Sequence, residues 1–414
     1  MGESPKRIAI IGAGQAGGQT AYSLRQHGYD GEITLIGEEP APPYQRPPLS
    51  KAYLKGELEE DRLYLKPVEY YAEHRIALLS DAQVVAIDAG AKRLSLASGS
   101  KVSWDRLVIA TGARPRRLPL PGAQLEGVLE LRSLADADRL KARIAPGARL
   151  VVVGAGYIGL EAAAVAAQLG LKVVVLEAMP RVLARVAGPE ISEFYTEVHR
   201  AAGVDVRLGA RLEGFEGTGR VTAARLSTGE QIPCDVALVG VGVLANAELA
   251  KQAGLSLGDG ILTDRQGRTS HPDIFAIGDV AFRPLTHYEG GARLESVHNA
   301  IEGGKIAAAA LLGAPHPNED VPWFWSDQYD LKLQTAGLST GADQVVTRGD
   351  PASRSFAVFY LREGRVLAAT AVNAAPEYMV GKKLVAASAS VAPAELADKS
   401  ISMKDIGAKA LMSA

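Results

Sequence analysis

The sequence predicts an α/β fold with two Rossmann-like dinucleotide-binding domains and a C-terminal α+β domain. The first two domains follow from an internal repeat: Arg7-Ile-Ala-Ile-Ile-Gly-Ala-Gly-Gln-Ala-Gly returns as Arg149-Leu-Val-Val-Val-Gly-Ala-Gly-Tyr-Ile-Gly. Each copy is a β-branched run, a glycine turn and a stretch of helical period, and each enters a second apolar strand, at 32–36 or 172–176. The third domain follows from a change of period. Beyond Pro322 the apolar residues alternate, at 332–336, 356–361 and 365–372, the last two runs joined across Glu363-Gly364.

The expected boundaries are 1–114 plus 246–320 for a discontinuous first domain, 115–245 for the second and 321–414 for the third. A proline-rich segment, 40–48, precedes an expected helix from Ser50, and another helix is expected over 67–74. The basic, proline-containing stretch 114–121 reads as an interdomain crossover. A helix is expected over 297–312, and two helical stretches close the chain.

Composition narrows the function. At 414 residues, with 47% hydrophobic and 22% charged, the chain can bury large cores and is not of the disordered class. A net charge of -2 supplies no global basic field for nucleic acid. Cys234 is the one cysteine, which excludes an intramolecular disulfide, a CxxC redox pair and a cysteine-ligated cluster within the chain. A reducing cytoplasm is the expected location, with no signal peptide. The seven histidines show no metal-ligand spacing, so no metal is expected.

Gly12-x-Gly14-x-x-Gly17 lies between a strand and a helix, the context a pyrophosphate turn requires. The first glycine makes the turn, the second admits a phosphate close to backbone, and the third lets helix pack on strand. Glu38, past the second strand, is placed to accept ribose hydroxyls. Gly154-x-Gly156-x-x-Gly159 repeats the device, and Glu177 there suits the adenosine 2′-hydroxyl of NADH and repels a 2′-phosphate. Arg181, four positions on, is the residue that can serve a phosphate instead. Thr111-Gly112 and Ile277-Gly278-Asp279 end apolar strands where ligand can pass near backbone, with Asp279 as acceptor for a ribitol hydroxyl. Each feature also has a plain structural reading: a tight turn, or a solvated acid at a strand end.

The order of these motifs resembles the two-dinucleotide-fold flavoproteins built like glutathione reductase. Within them, Arg46-Pro-Pro-Leu-Ser-Lys51, Gly159-Leu-Glu161, Glu295-Ser-Val-His-Asn and Trp323-Phe-Trp-Ser-Asp-Gln resemble the ferredoxin reductases of bacterial monooxygenase and dioxygenase systems. The resemblance implies FAD on Gly12, Gly14, Ala16, Gly17, Glu38, Arg46, Lys51, Val84, Ala110, Thr111, Gly112, Arg132, Asp279, Val297 and Trp325. It implies NADH on Gly154, Gly156, Tyr157, Ile158, Gly159, Glu177 and Gly242. Lys51 is expected at flavin N5, ion-paired to Glu161, the two together serving hydride transfer. The Val297 backbone is expected at the pyrimidine end and Trp325 along the pocket wall.

Departures count too. Related disulfide reductases carry a cysteine pair, and peroxide-handling relatives a single cysteine in the loop after the second strand. Here that loop, 40–48, has none, and Cys234 reads as a small core residue. The implied function is hydride transfer from NADH to FAD, then single electrons to a small [2Fe-2S] ferredoxin. Two alternatives stay open: an NADH dehydrogenase or oxidase using quinone or oxygen, and an NADH-binding flavoprotein like apoptosis-inducing factor. The mixed, short tail 399–414 is not the apolar anchor a membrane-bound quinone reductase would want. An acidic ferredoxin would dock on cations, for which Arg293, Lys332, Lys382, Lys383 and Lys409 are candidates.

Overall fold

The computed structural model describes residues 5–317 and 320–412. Met1 and Gly2, and the last two residues of the 399–414 tail, lie outside them. In chain order the elements used below are β1 (Arg7–Ile11), α1 (Gln15–Gln26), β2 (Glu32–Ile36), β3 (Ile76–Leu79), β4 (Arg106–Ile109), β5 (Arg149–Val153), α2 (Tyr157–Gln168), β6 (Lys172–Glu177), α3 (Pro189–Ala201), β7 (Asp205–Leu208), β8 (Val236–Val239), β9 (Ile274–Ala276), α4 (Val297–Leu312), β10 (Trp323–Gln328), β11 (Leu331–Gly337), β12 (Gln344–Asp350), β13 (Ser355–Arg362), β14 (Arg365–Val372), α5 (Ala375–Ala386) and α6 (Met403–Met412). The chain divides into two compact units: Met1–Gln45, Glu60–Arg114 and Leu244–Pro322 form one, and Arg46–Glu59, Pro115–Val243 and Trp323–Ala414 the other.

The first unit is built on a parallel sheet of order β9-β4-β1-β2-β3. Its central strand is apolar on both faces because both are covered. Ile8 and Ile10 pack with Leu24, Ala307 and Leu311 under α1 and α4, while Ala9 and Ile11 pack with Leu94, Leu96 and Trp104 of a small antiparallel layer. β1 pairs β2 on one side and β4 on the other, Ile8 opposite Ile33 and Arg106. The chain thus reverses its direction of sheet growth at the carboxyl end of β1, where an open α/β sheet offers its crevice.

The second unit repeats the plan with sheet order β7-β6-β5-β8 and the short strand Val128–Leu129 at its edge. Val151 and Val153 pack onto Phe215, Leu226, Ile232 and Cys234 of another antiparallel layer. Helix α2 runs Leu160 to Ala166 without an exposed residue, Glu161 included. A helix buried all round needs partners on both sides; α2 has its own sheet on one and β10 on the other.

The C-terminal part of this unit is a five-stranded antiparallel sheet of order β10-β11-β14-β13-β12. Glu363 and Gly364 both take positive φ, 52° and 77°, as a type I′ hairpin turn requires. Strand β12 escapes a period-two reading because Arg348 occupies an inward position. It is 3% exposed, and its guanidinium donates to the carbonyls of Leu396, Asp398 and Ile401 at 3.1, 2.6 and 2.6 Å. Among the described residues three helices rather than two follow the sheet, a short one at Pro393–Ala397 lying between α5 and α6.

Gly154 has φ +99°, and a Cβ there would sit 2.4 Å from the carbonyl oxygen of Gly240, whereas a Cβ on Gly156 meets nothing within 4 Å. Gly154→Ala should therefore lower unfolding stability by about 3 kcal/mol, combining strain and overpacking. Gly156→Ala should stay within about 1 kcal/mol of wild type. Urea unfolding followed by circular dichroism reads both, and equal losses would contradict the different roles given to the two glycines.

Candidate functional site

The two glycine turns are constructed alike. Gly12 (φ +107°) lies under the Ala110 carbonyl, where a Cβ would stand 2.2 Å from the oxygen; Gly17 faces the Gly12 carbonyl at 1.9 Å on the same measure. In the second turn Gly159 faces the Gly154 carbonyl at 2.3 Å. Between each crowded pair, Gly14 and Gly156 look into open space, with nothing within 4 Å of a Cβ position. These two residues cap α1 and α2, and neither helix has a side-chain cap. Free first-turn N–H groups and an empty approach in front of them fit a pyrophosphate.

In the first unit the turn is bracketed by the other strand ends. Asn246 donates from its amide to the Thr111 carbonyl at 2.9 Å, accepts from Thr111 Oγ1 on its own carbonyl at 2.8 Å, and its backbone N–H donates to Gly112 at 3.0 Å. Gly112 has φ +63°. Gly278 approaches Ala16, and Asp279 follows it in a one-turn helix whose carbonyl accepts from Arg293 at 3.1 Å. Glu38 is exposed past β2, while Val84 is buried in the core beside Ile36. Val297 opens α4 behind the Ser296 cap.

In the second unit Glu177 is anchored, its Oε2 accepting from Ala155 N at 2.7 Å and its Oε1 from Met179 N at 2.8 Å. Arg181 is committed elsewhere: it donates to the carbonyls of Ala187 and Ala184 at 2.6 and 2.9 Å and to Ser192 Oγ at 2.7 Å. Ile158 is exposed on the first turn of α2, whereas Tyr157 turns against Phe324, ring centres 4.5 Å apart, and burial pushes its phenol above the usual range. Gly242, at φ +99°, lies against the Arg185 guanidinium.

The same unit holds a buried polar cluster around Glu161. Lys51 Nζ is 2.7 Å from Glu161 Oε2, with the side chains 18% and 4% exposed. The carboxylate also accepts from Ser50 Oγ and from Ser326 Oγ, both at 2.6 Å. Ser50 therefore serves the carboxylate and does not cap a helix. Arg46 donates to the Arg132 carbonyl at 2.6 Å. Trp325 is half-buried, its ring 5.4 Å from that of Trp323.

Arg293 is no free docking cation: Asp259 and Glu295 pair it at 3.1 and 2.7 Å and its side chain is 10% exposed. Asn246 serves a turn far away in sequence and so has no local signature beyond its place after the Gly240-Val-Gly strand end. Ser326 stands within the Trp323-Phe-Trp-Ser-Asp-Gln motif. Its spacing from Gln328 on a strand was the signal that both face inward. Cys234 is buried, its thiol pushed up to about 11 by burial, as suits a small core residue.

Comparison with known proteins follows the same lines. The pyridine nucleotide-disulphide oxidoreductase model matches residues 6–304, and a reductase C-terminal model matches 323–407. A probable ferredoxin reductase of Castellaniella defragrans is 48% identical over 382 residues, 92% of this chain and 93% of that one. Rhodocoxin reductase of Rhodococcus erythropolis is 43% identical over 398 residues, 96% of this chain and 93% of that one. The reductase in a covalent putidaredoxin reductase–putidaredoxin complex superposes with TM-score 0.96 at 40% identity, covering 99% of both chains.

Removing Lys51 leaves the Glu161 charge buried with two hydroxyl donors and no countercharge. Lys51→Met should cost about 3 kcal/mol of stability, the lower end for a broken buried pair. Adding Glu161→Leu should restore part of the loss. A double variant less stable than Lys51→Met would show that the ion pair does not set the energetics here.

Proposed function

The chain belongs to the pyridine nucleotide-disulphide oxidoreductase family and, within it, to the ferredoxin reductases, and from that membership we propose that it carries electrons from NADH through FAD to a small iron–sulfur ferredoxin. The ferredoxin would in turn feed an oxygenase. The observation that carries the reading is the doubled phosphate turn, Gly14 and Gly156 each facing open space, in a chain whose single thiol is buried. Two dinucleotides fit, and a thiol relay does not.

When bound, FAD accepts a hydride and releases electrons singly. The protein supplies position and charge. On this reading Gly12, Gly14 and Gly17 hold the FAD pyrophosphate, with Glu38 on the ribose and Asp279 on the ribitol. Gly154, Gly156 and Gly159 hold the NADH pyrophosphate. Glu177, fixed by two backbone N–H donors, accepts the adenosine 2′-hydroxyl. Lys51, held by Glu161, supplies positive charge to the reduced ring, an interaction stronger after hydride arrival than before it. Among the described residues no helix is long and apolar enough to cross a membrane; a cytoplasmic location is our assignment. The three-part division at 114/115, 245/246 and 320/321 is our reading of how these tasks are shared.

Lys332, Lys382, Lys383 and Lys409 remain our candidates for docking an acidic ferredoxin. Lys332 and Lys383 are exposed, Lys382 lies over the Trp323 ring at 5.7 Å, and Lys409 reaches Glu395. With screening over about 8 Å at physiological salt, added salt should slow ferredoxin reduction and spare flavin reduction by NADH. Charge reversal at Lys332 and Lys383 should act the same way. Ferredoxin turnover indifferent to both would move the docking face elsewhere. If oxygen or a quinone accepts electrons faster than any ferredoxin, the NADH oxidase or dehydrogenase reading replaces this one.

Coenzyme choice gives a sharper test. Arg181 is bound to carbonyls and Glu177 repels a 2′-phosphate, so kcat/KM for NADH should exceed that for NADPH by roughly a hundredfold, within the range of a like-charge clash. Glu177→Gln keeps the shape, removes the charge and should narrow the ratio at least about tenfold. Equal use of both coenzymes by the wild type would remove Glu177 from its role.

A further inference from the structure

Strand β10 alternates, so Ser326 and Gln328 face the same side, and both are buried at 0% and 2% exposure. That side meets Glu161 on α2 and His199 near the end of α3, itself fully buried. Four contacts run in line. Tyr329 Oη lies 3.1 Å from His199 Nδ1, His199 Nε2 lies 2.8 Å from Gln328 Oε1, Gln328 Nε2 lies 3.2 Å from Ser326 Oγ, and Ser326 Oγ lies 2.6 Å from Glu161 Oε1.

The polarity of this line follows from its inner end. An ionised Glu161 only accepts, so Ser326 must donate to it. Ser326 Oγ then accepts from the Gln328 amide N–H, which turns the Gln328 carbonyl oxygen toward His199. His199 must carry its proton on Nε2 to donate there, leaving Nδ1 to accept from the Tyr329 hydroxyl. Every donor points toward Glu161. Burial agrees with this arrangement, holding His199 well below its ordinary value, at about 4, so that the ring is neutral.

We propose that this directed chain, from Tyr329 through His199 and Gln328 to Ser326, fixes the Glu161 carboxylate and thereby the Lys51 ammonium, making Gln328 and His199 positioning residues for flavin reduction. The inference rests on the reading that Lys51 acts on the flavin. A core that needed only stability at these positions would be served by apolar side chains, since each buried polar group must be paired to avoid a penalty. Here the paired groups converge on one ion. With Ser50 and Lys51 on Oε2 and Ser326 on Oε1, the carboxylate cannot rotate without losing a charge-assisted bond.

Gln328→Leu keeps the bulk and removes both amide functions. It should slow stopped-flow reduction of the bound flavin by NADH roughly tenfold, the scale of one lost buried hydrogen bond, and make the flavin midpoint potential more negative. NADH affinity should be unchanged. In a Lys51→Met background it should add nothing, because the chain acts through Lys51. Ser326→Ala should behave in the same way and serves if the Gln328 variant does not fold. Independently of turnover, ring nitrogen NMR should find His199 neutral with its proton on Nε2 from pH 6 to 8. A proton on Nδ1, or variants with wild-type rate and potential beside a slowed Lys51→Met, would overturn the proposal alone. If Lys51→Met itself changes neither rate nor potential, the role given to Lys51 fails and takes the proposal with it.

Discussion

Where β1 and β5 end, the backbone must turn directly beneath the carbonyl of the neighbouring strand end, at 2.2 Å from a Cβ on Gly12 and 2.4 Å from one on Gly154. No side chain fits, and the positive φ values add a second reason for glycine. The turn then sets everything after it. It aims α1 and α2 so that their N-termini, without side-chain caps, look past Gly14 and Gly156 into open space. It brings Gly17 and Gly159 against the carbonyls of Gly12 and Gly154, closing helix onto strand. It also leaves β2 and β6 to end alongside, with Glu38 and Glu177 just beyond the turns.

The second unit adds a different constraint, a buried carboxylate. Glu161 sits on a helix whose other buried residues are all apolar, and an ion there is tolerable only if its lone pairs are filled. The donors arrive from separate stretches: Ser50 and Lys51 from the segment Arg46–Glu59, Ser326 from β10. This accounts for the grouping of that short segment with Pro115–Val243 rather than with the chain around it. Tyr53 strengthens it by donating to Asp138 at 2.6 Å.

The sequence made legible whatever has a short-range signature. The α/β class, the repeated unit, α4 over 297–312 and the hairpin at Glu363-Gly364 each depend on neighbours within a few positions. The pairing of Lys51 with Glu161 came from resemblance, since no local rule joins residues so far apart. What stayed hidden depends on tertiary partners. The commitment of Arg181 to carbonyls of its own loop, the neutralisation of Arg293 by Asp259 and Glu295, and the inward turn of Arg348 all give an arginine a use that its spacing does not announce. The bracket that Asn246 makes around Thr111 and Gly112, and the polar line behind Glu161, are likewise invisible until the strands are paired.

On the function proposed above, two turns of the same build hold two different dinucleotides, FAD at Gly12–Gly17 and NADH at Gly154–Gly159. Gly14 and Gly156 offer a direct test, because a side chain there clashes with ligand and not with protein. Gly14→Val and Gly156→Val should both fold, and their visible spectra should be recorded before and after anaerobic NADH. Gly14→Val should be colourless and retain no FAD, and Gly156→Val should be yellow but not bleached by NADH. A yellow, NADH-responsive Gly14 variant, or a Gly156 variant that loses its colour, would contradict it.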